Sequence, residues 1–464
     1  MQYLKRRLAA LVVVIIAALA APASALATST PEQISAAIAK GLPYMEGTQA
    51  ENGGFPGFGG DWSLTSFAAA GKAAADLHYK GESKNPDARS FYGSSTQYGS
   101  PTWPGVSGAA VTEYERAALV AYAAGIDPAR PSNRQNLLAQ IVAQYQVGSP
   151  GYFGSTFNGT VFAVLALTGS KSQAGAQRFP QSLLNLSVAA IKANQHTDGG
   201  WTWEKAAGNE TALKRPSEPD LTGAAMAALC GAGVANTNAT IVKAKAYLVG
   251  LLESSTGAFG SEFGANTDSN SWAVQGLNAC GINPQGAEFT TTAGKTPIDF
   301  LISQQLTSGG FKYQPANTGA NQYSSQSAIR ALAGGGFTAA PPTPKAGEKW
   351  GAASSFATGA AESDPLALVI EYSGTLKVCS VSVAPKATAT SLATVLETAM
   401  TAATPSGCVS GLQPTSGTGA ITQVNGFPEP GVAGWKVSID GAAAVQAKRS
   451  TAIHVGDTIY LKYE

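Results

Sequence analysis

Charge is scarce in this chain. Lys, Arg, Asp and Glu make up 13% of its 464 residues, against roughly 25% in ordinary soluble domains. The 30 basic and 29 acidic side chains nearly cancel, giving a formal net charge of +1, so nothing argues for nucleic acid or an anionic membrane as a partner. Histidine occurs three times and cysteine four times. With no Cys-x-x-Cys and no paired histidines, an ordinary zinc site is excluded. Long apolar runs are missing as well. The most extended, Leu8 to Ala21, is short for a bilayer span. It follows Lys5, Arg6 and Arg7 and precedes Ala25-Leu26-Ala27, a pattern that predicts a secretory signal peptide over residues 1–27, with a retained anchor as the alternative. Its removal takes away those three cations and no acid, so the charge falls from +1 to −2. The expectation is a secreted, soluble monomer.

What is present instead is a repeat. Gln-x-x-x-Gly-x-(Trp/Phe) reads cleanly at Gln49…Gly53-Gly54-Phe55, Gln195…Gly199-Gly200-Trp201 and Gln305…Gly309-Gly310-Phe311. Variants stand at Gln97…Trp103, Glu253…Gly257-Ala258-Phe259 and, without the glutamine, Gly151-Tyr152-Phe153. The aromatic positions 55, 103, 153, 201, 259 and 311 recur about every fifty residues. A period of this size signals stacked units, each unable to bury its apolar face alone. Before each turn lies an amphipathic stretch, such as Gln181 to Asn194 or Thr296 to Leu306. After it comes a nearly uncharged one, such as Tyr114 to Ala124, Thr160 to Thr168, Leu221 to Cys230, Ser271 to Cys280 or Ser325 to Gly334. A helix that is apolar or small on every face is buried on every face. Six such pairs predict two concentric rings, with an open solenoid as the alternative.

The repeats stop at Ala339-Ala340-Pro341-Pro342-Thr343-Pro344, which no helix crosses. Beyond, Leu376 to Val381, Trp435 to Ile439 and Thr458 to Tyr463 alternate with period two, with one helix around Leu392 to Met400 and turns at Asn425-Gly426 and Asp440-Gly441. The reading is therefore multidomain: a signal peptide at 1–27, a helical double ring at 28–340, a Pro-rich linker at 341–347, and a small α+β domain, one helix on a mixed sheet, at 348–464. Cys379 and Cys408 are the expected disulfide; Cys230 and Cys280 end helices of successive repeats, and pairing or buried thiols both remain open.

The repeats from Thr30 to Phe337 resemble those of the squalene/oxidosqualene cyclase and prenyltransferase superfamily, which implies an α6/α6 toroid. The tail resembles the C-terminal β domain of the transcobalamin and intrinsic-factor family through Ile421-Thr422-Gln423-Val424-Asn425-Gly426, Gly434-Trp435-Lys436-Val437-Ser438-Ile439-Asp440-Gly441 and Val455-Gly456-Asp457-Thr458-Ile459. This resemblance implies a corrinoid held between toroid rim and β domain. The catalytic motifs of the first superfamily are absent: no Asp-x-Asp-Asp acid, no clustered aspartates for magnesium, no Asp-x-Cys zinc pair. No cofactor is required, and a corrinoid enters as ligand.

The starts of the inner helices then gather on one rim, polar and aromatic without clustered charge. They supply Glu113 and Tyr114, Asn158 and Thr160, Asp220 and Thr222, Asp268 and Asn270, and Tyr323 with Gln326 as candidate ligand contacts, with Trp435 covering the ligand from the β domain. Each has a bland counterpart: an Asp in the first helical turn is an ordinary cap, and Trp435 is equally a sheet residue packed on the helix. His78 and His196 are candidate axial ligands for cobalt, more often turn residues. The expected function is non-catalytic capture of a corrinoid-like or other polar small molecule. The alternatives are a secreted enzyme using the rim carboxylates, on terpenoids or polysaccharides, and a cell-surface scaffold or adhesion module.

Overall fold

The structure, a computed structural model, describes residues 28–57, 59–94, 111–129, 136–169, 177–204, 215–345, 364–383, 389–427, 434–454 and 456–463. The signal peptide, Gln97, Trp103 and the domain boundary at 346–363 lie outside them. A mostly helical N-terminal region precedes a C-terminal sheet region. The helical region holds twelve α-helices among the described residues. The odd-numbered ones are α1 (Pro31–Glu46), α3 (Ala88–Ser94), α5 (Leu137–Val142), α7 (Gln181–Ala193), α9 (Ala239–Gly250) and α11 (Pro297–Ser303). The even-numbered ones are α2 (Ser63–Ala69), α4 (Val111–Ala124), α6 (Phe157–Thr168), α8 (Pro219–Gly231), α10 (Thr267–Ala279) and α12 (Gln322–Leu332).

Local chemistry explains where these helices begin. Thr30 with Gln33 and Thr296 with Asp299 form capping boxes ahead of Pro31 and Pro297, satisfying donors the first turn leaves over. Asn266 and Asn321 cap α10 and α12. The two series differ in burial as their sequences require. In α6 eleven of twelve residues are buried, whereas α9 buries only Ile241, Ala244 and Leu248. The even helices pack in the cycle α2–α4–α6–α8–α10–α12, and α12 returns onto α2. First and last repeats are joined by Ser63 Oγ donating to Gln326 Oε1 (2.9 Å) and Gln305 Nε2 donating to Ala37 O (2.8 Å). α8 and α10 approach closely because Gly223 and Gly276 face each other; a Cβ on Gly276 would stand 2.3 Å from Gly223 O. The Cys230–Cys280 disulfide ties the ends of the same two helices.

The repeat motif is a set of stitches. Gln49, Gln195 and Gln305 each donate from Nε2 to the carbonyl of their own turn glycine, Gly53, Gly199 or Gly309, at 2.8–2.9 Å. Each also reaches a backbone carbonyl of another segment, Leu77, Thr240 or Ala37. Glu253 cannot donate, and its carboxylate accepts from Thr256 instead. The turn glycines have positive φ, and a Cβ at Gly309 would lie 2.1 Å from Lys40 O on α1, so no side chain is tolerated there. Phe153, Trp201, Phe259 and Phe311 are fully buried, each contributing about 2–3 kcal/mol by leaving water.

The sheet region contains β1 (Asp364–Tyr372), β2 (Thr375–Val383), β4 (Ala403–Thr404), β7 (Trp435–Ile439), β8 (Val445–Gln446) and β10 (Thr458–Tyr463) in the order β4-β2-β1-β10-β7-β8. β1 and β10 are parallel and the other neighbours antiparallel. Short pairs β3 (Thr390–Ser391) with β9 (Ala452–Ile453) and β5 (Leu412–Gln413) with β6 (Gln423–Val424) complete it. One helix, α13 (Leu392–Ala402), covers one face. The pleat assigns the faces: Leu366, Leu368 and Ile370 pack with α13, while Ala367 and Val369 join the core of the helical region. Cys379 pairs with Cys408 as expected.

Candidate functional site

Asn158, Asp220, Asp268 and Tyr323 are the second residues of α6, α8, α10 and α12. Equivalent positions on neighbouring, similarly directed helices lie at one height, so these four form an arc at the mouth of the helical cycle. One turn deeper stand Phe162 and Trp272, whose rings meet at 5.6 Å. Trp62 touches Phe162 at 6.5 Å, and Phe337 packs on Phe162 (5.8 Å) and Trp272 (5.1 Å). An aromatic cluster therefore fills the axis below the mouth. Arg330 is set into it, its guanidinium 4.6 Å from the Trp62 ring and 5.6 Å from that of Phe337.

Several polar atoms at the mouth are buried without a hydrogen-bond partner among the described residues: Asn158 Oδ1, Asp268 Oδ1 and Trp272 Nε1. Buried polar atoms cost stability when unmatched. The acids there are tuned. Burial, then repulsion from Asp220, pushes the Asp268 carboxyl up to about 6, with the nearby Ser324 side chain opposing. Burial, then Asp220 and Glu262, pushes Glu218 up to about 7. Asp220 is raised mainly by burial, while its Oδ1 accepts from Leu221 N (2.9 Å). Tyr323 is held above its ordinary range by burial and then by Asp268.

The other side of the mouth is arranged differently. Arg116 reaches Asp61 (3.1 Å) and Glu113 (2.6 Å), all three side chains being buried. Tyr114, beside Glu113, is buried too.

Five further sequence candidates are engaged in the scaffold. The backbone N–H groups of the repeat aromatics donate to inner-helix side chains: Phe153 to Thr160 Oγ1 (3.1 Å), Trp201 to Thr222 Oγ1 (3.1 Å), Phe259 to Asn270 Oδ1 (2.7 Å). Phe311 donates likewise to Ser325 Oγ (2.8 Å). Gln326 donates to Gly59 O (2.9 Å) as well as accepting from Ser63. Trp435 is fully enclosed in the sheet core, its Nε1 donating to Phe427 O (3.0 Å).

The expected lid is corrected by the position of the sheet, which rests on the outer wall of the helical region along α5. Asn136 at the start of α5 donates to Pro365 O (3.0 Å), and Ser182 on α7 donates to Glu371 Oε2 (2.5 Å). A cleft of about 350 Å³ lies between the two, lined by Tyr145, Pro150 and Leu186 on the wall and Thr375, Lys377 and Pro405 on the sheet. The apolar faces of α5 and of β1 and β2 demand mutual cover, and that demand decides the seat. Of the histidines, His78 Nδ1 pairs with Asn85 O (2.8 Å), and His196 sits in the turn after α7. No His/Cys/Asp/Glu group fit for a metal ion occurs among the described residues, and no described helix is long and apolar enough to cross a membrane.

Arg330, Arg116, Asp61 and Phe337 had no place in the sequence reading of the site. The available signal was a lone cation inside an otherwise uncharged inner-helix segment.

No protein-family description matches the chain, and no curated protein matches it. Among solved structures it is similar to the type II terpene cyclase MstE from Scytonema, at 14% identity and a TM-score of 0.44 over 66% of this chain and 98% of that one. It is similar to haptocorrin in complex with Cbi at 12% identity and a TM-score of 0.35, over 94% and 99%. A protein from Actinoplanes gives 13% and 0.42 over 65% and 99%.

Proposed function

We propose that this is an exported binding protein: an α6/α6 toroid whose mouth captures a polar, amide-bearing small molecule, with corrinoids as the class to test. The observation that carries the reading is the arc of Asn158, Asp220, Asp268 and Tyr323 above Trp272, where buried polar atoms stand unmatched beside carboxyls whose hold on a proton burial strengthens. A protonated carboxyl and an indole N–H are donors suited to amide carbonyls. The sheet serves as a wall brace rather than a cover. Titrating cyanocobalamin by calorimetry should give saturable heat at tens of micromolar or below. Asp268→Ala should weaken it by about tenfold, the worth of one good hydrogen bond. Absence of both heat and spectral change would remove the corrinoid class.

One observation favours a second reading. An Asp268 carboxyl held near 6 beside an aromatic chamber is the equipment of a general acid. Turnover of an isoprenoid polyene that Asp268→Asn abolishes would make the protein an enzyme instead.

A further inference from the structure

Arg330 is 1% exposed, yet it forms no ion pair among the described residues. Its Nη1 donates to Thr65 Oγ1 (2.5 Å), whose own hydroxyl donates to Trp62 O (2.6 Å). Its Nε is buried without a hydrogen-bond partner among the described residues. Burial pushes the guanidinium down to about 10, with Tyr323 opposing, so it remains charged at neutral pH. The rings of Trp62 and Phe337 stabilise it in part. A desolvated cation with one hydroxyl partner still lacks the counter-charge such a site requires. The neighbouring acids do not supply it: Asp61 is engaged with Arg116, and Tyr323 stays a neutral phenol.

We infer that the ring axis is an anion site: the molecule captured at the mouth carries a sulfonate, carboxylate or phosphate on an apolar body, and that group docks on Arg330. Geometry suggests the route: Tyr323 and Arg330 are seven residues apart on α12, hence on one face, and Trp272, only partly buried, packs on the Phe337 ring that Arg330 faces. Rotation of the Trp272 indole opens the axis, and the apolar body then replaces it among Phe162 and Phe337. This rests on the mouth as the point of entry, and it adds the charge that the ligand must bear.

The test compares two dyes of nearly identical shape, anilinonaphthalene sulfonate and the uncharged phenyl-naphthylamine, by tryptophan-to-dye energy transfer. In Arg330→Met the ratio of sulfonate to neutral affinity should fall at least tenfold relative to wild type, while the neutral dye still binds and so reports an intact chamber. In Arg330→Lys the ratio should fall less, because the charge persists without the planar fork. An unchanged ratio in both variants overturns the inference. So does stabilisation by chloride alone equal to that by the sulfonate dye, which would assign the site to a free halide. Should Arg330→Met not fold, Arg330→Lys decides alone. Failure of cyanocobalamin with a positive dye ratio removes the corrinoid class and leaves the anion site standing; the converse result does the reverse.

Discussion

The two sides of the mouth hold the same kinds of side chain in opposite settings. Toward α2 and α4, Asp61 and Glu113 converge on Arg116. Toward α8 and α10, burial and then Asp220 lift Glu218 to about 7 and Asp268 to about 6, with Arg215 opposing only at Glu218 among the described residues. A carboxylate that only supports the fold is served by a nearby cation. Burial raises the carboxyls on both sides, Asp61 and Glu113 as well as Glu218 and Asp268, and on the first side Arg116 opposes that rise. The two sides differ in whether a cation stands within hydrogen-bond distance of the acids.

The largest expected effect breaks the first side. Arg116→Met leaves two buried carboxylates without their cation and should cost about 3–5 kcal/mol in urea unfolding; a loss below about 1 kcal/mol would mean the trio is not a unit. Next comes pH on the second side. Asp268 binds its proton more tightly folded than unfolded, so the native state holds more protons between pH 3.8 and about 6, and stability falls as pH rises through that window. Asp268→Asn should therefore be more stable than wild type by about 2 kcal/mol at pH 8 and level with it near pH 4. Identical pH profiles would show that Asp268 is not perturbed. The smallest effect separates scaffold from mouth. Thr222→Val strands the Trp201 N–H and should cost about 1–2 kcal/mol while leaving ligand affinity unchanged, although Asp220 is only two residues away.

Much of the helical architecture was legible. The spacing of Gln, Gly and aromatic residues anticipated a helix pair per repeat, and the uncharged stretches anticipated which member is enclosed, because full burial forbids charge. The candidate list was less secure for a reason visible in Thr160, Thr222 and Asn270. A short polar residue near a helix start serves equally to receive a neighbouring backbone N–H or to meet a ligand, and composition does not distinguish the two. Asp220 and Asp268 reach the mouth because they stand two residues earlier, nearly half a turn around the helix. Trp435 illustrates the same ambiguity in a strand, where a shift of one position exchanges the two faces.

Sequence by itself determined the repeat, the burial contrast between paired helices and the break to an alternating tail, since each follows from periodicity and local backbone preference. Tertiary structure alone decided that Arg330 lies buried against Trp62 and Phe337 with no acid beside it among the described residues, that Arg116 gathers Asp61 and Glu113, and that the sheet packs along α5. These depend on which residues far apart in the chain share a few ångströms, and Coulomb and desolvation energies act over that distance, not along the chain.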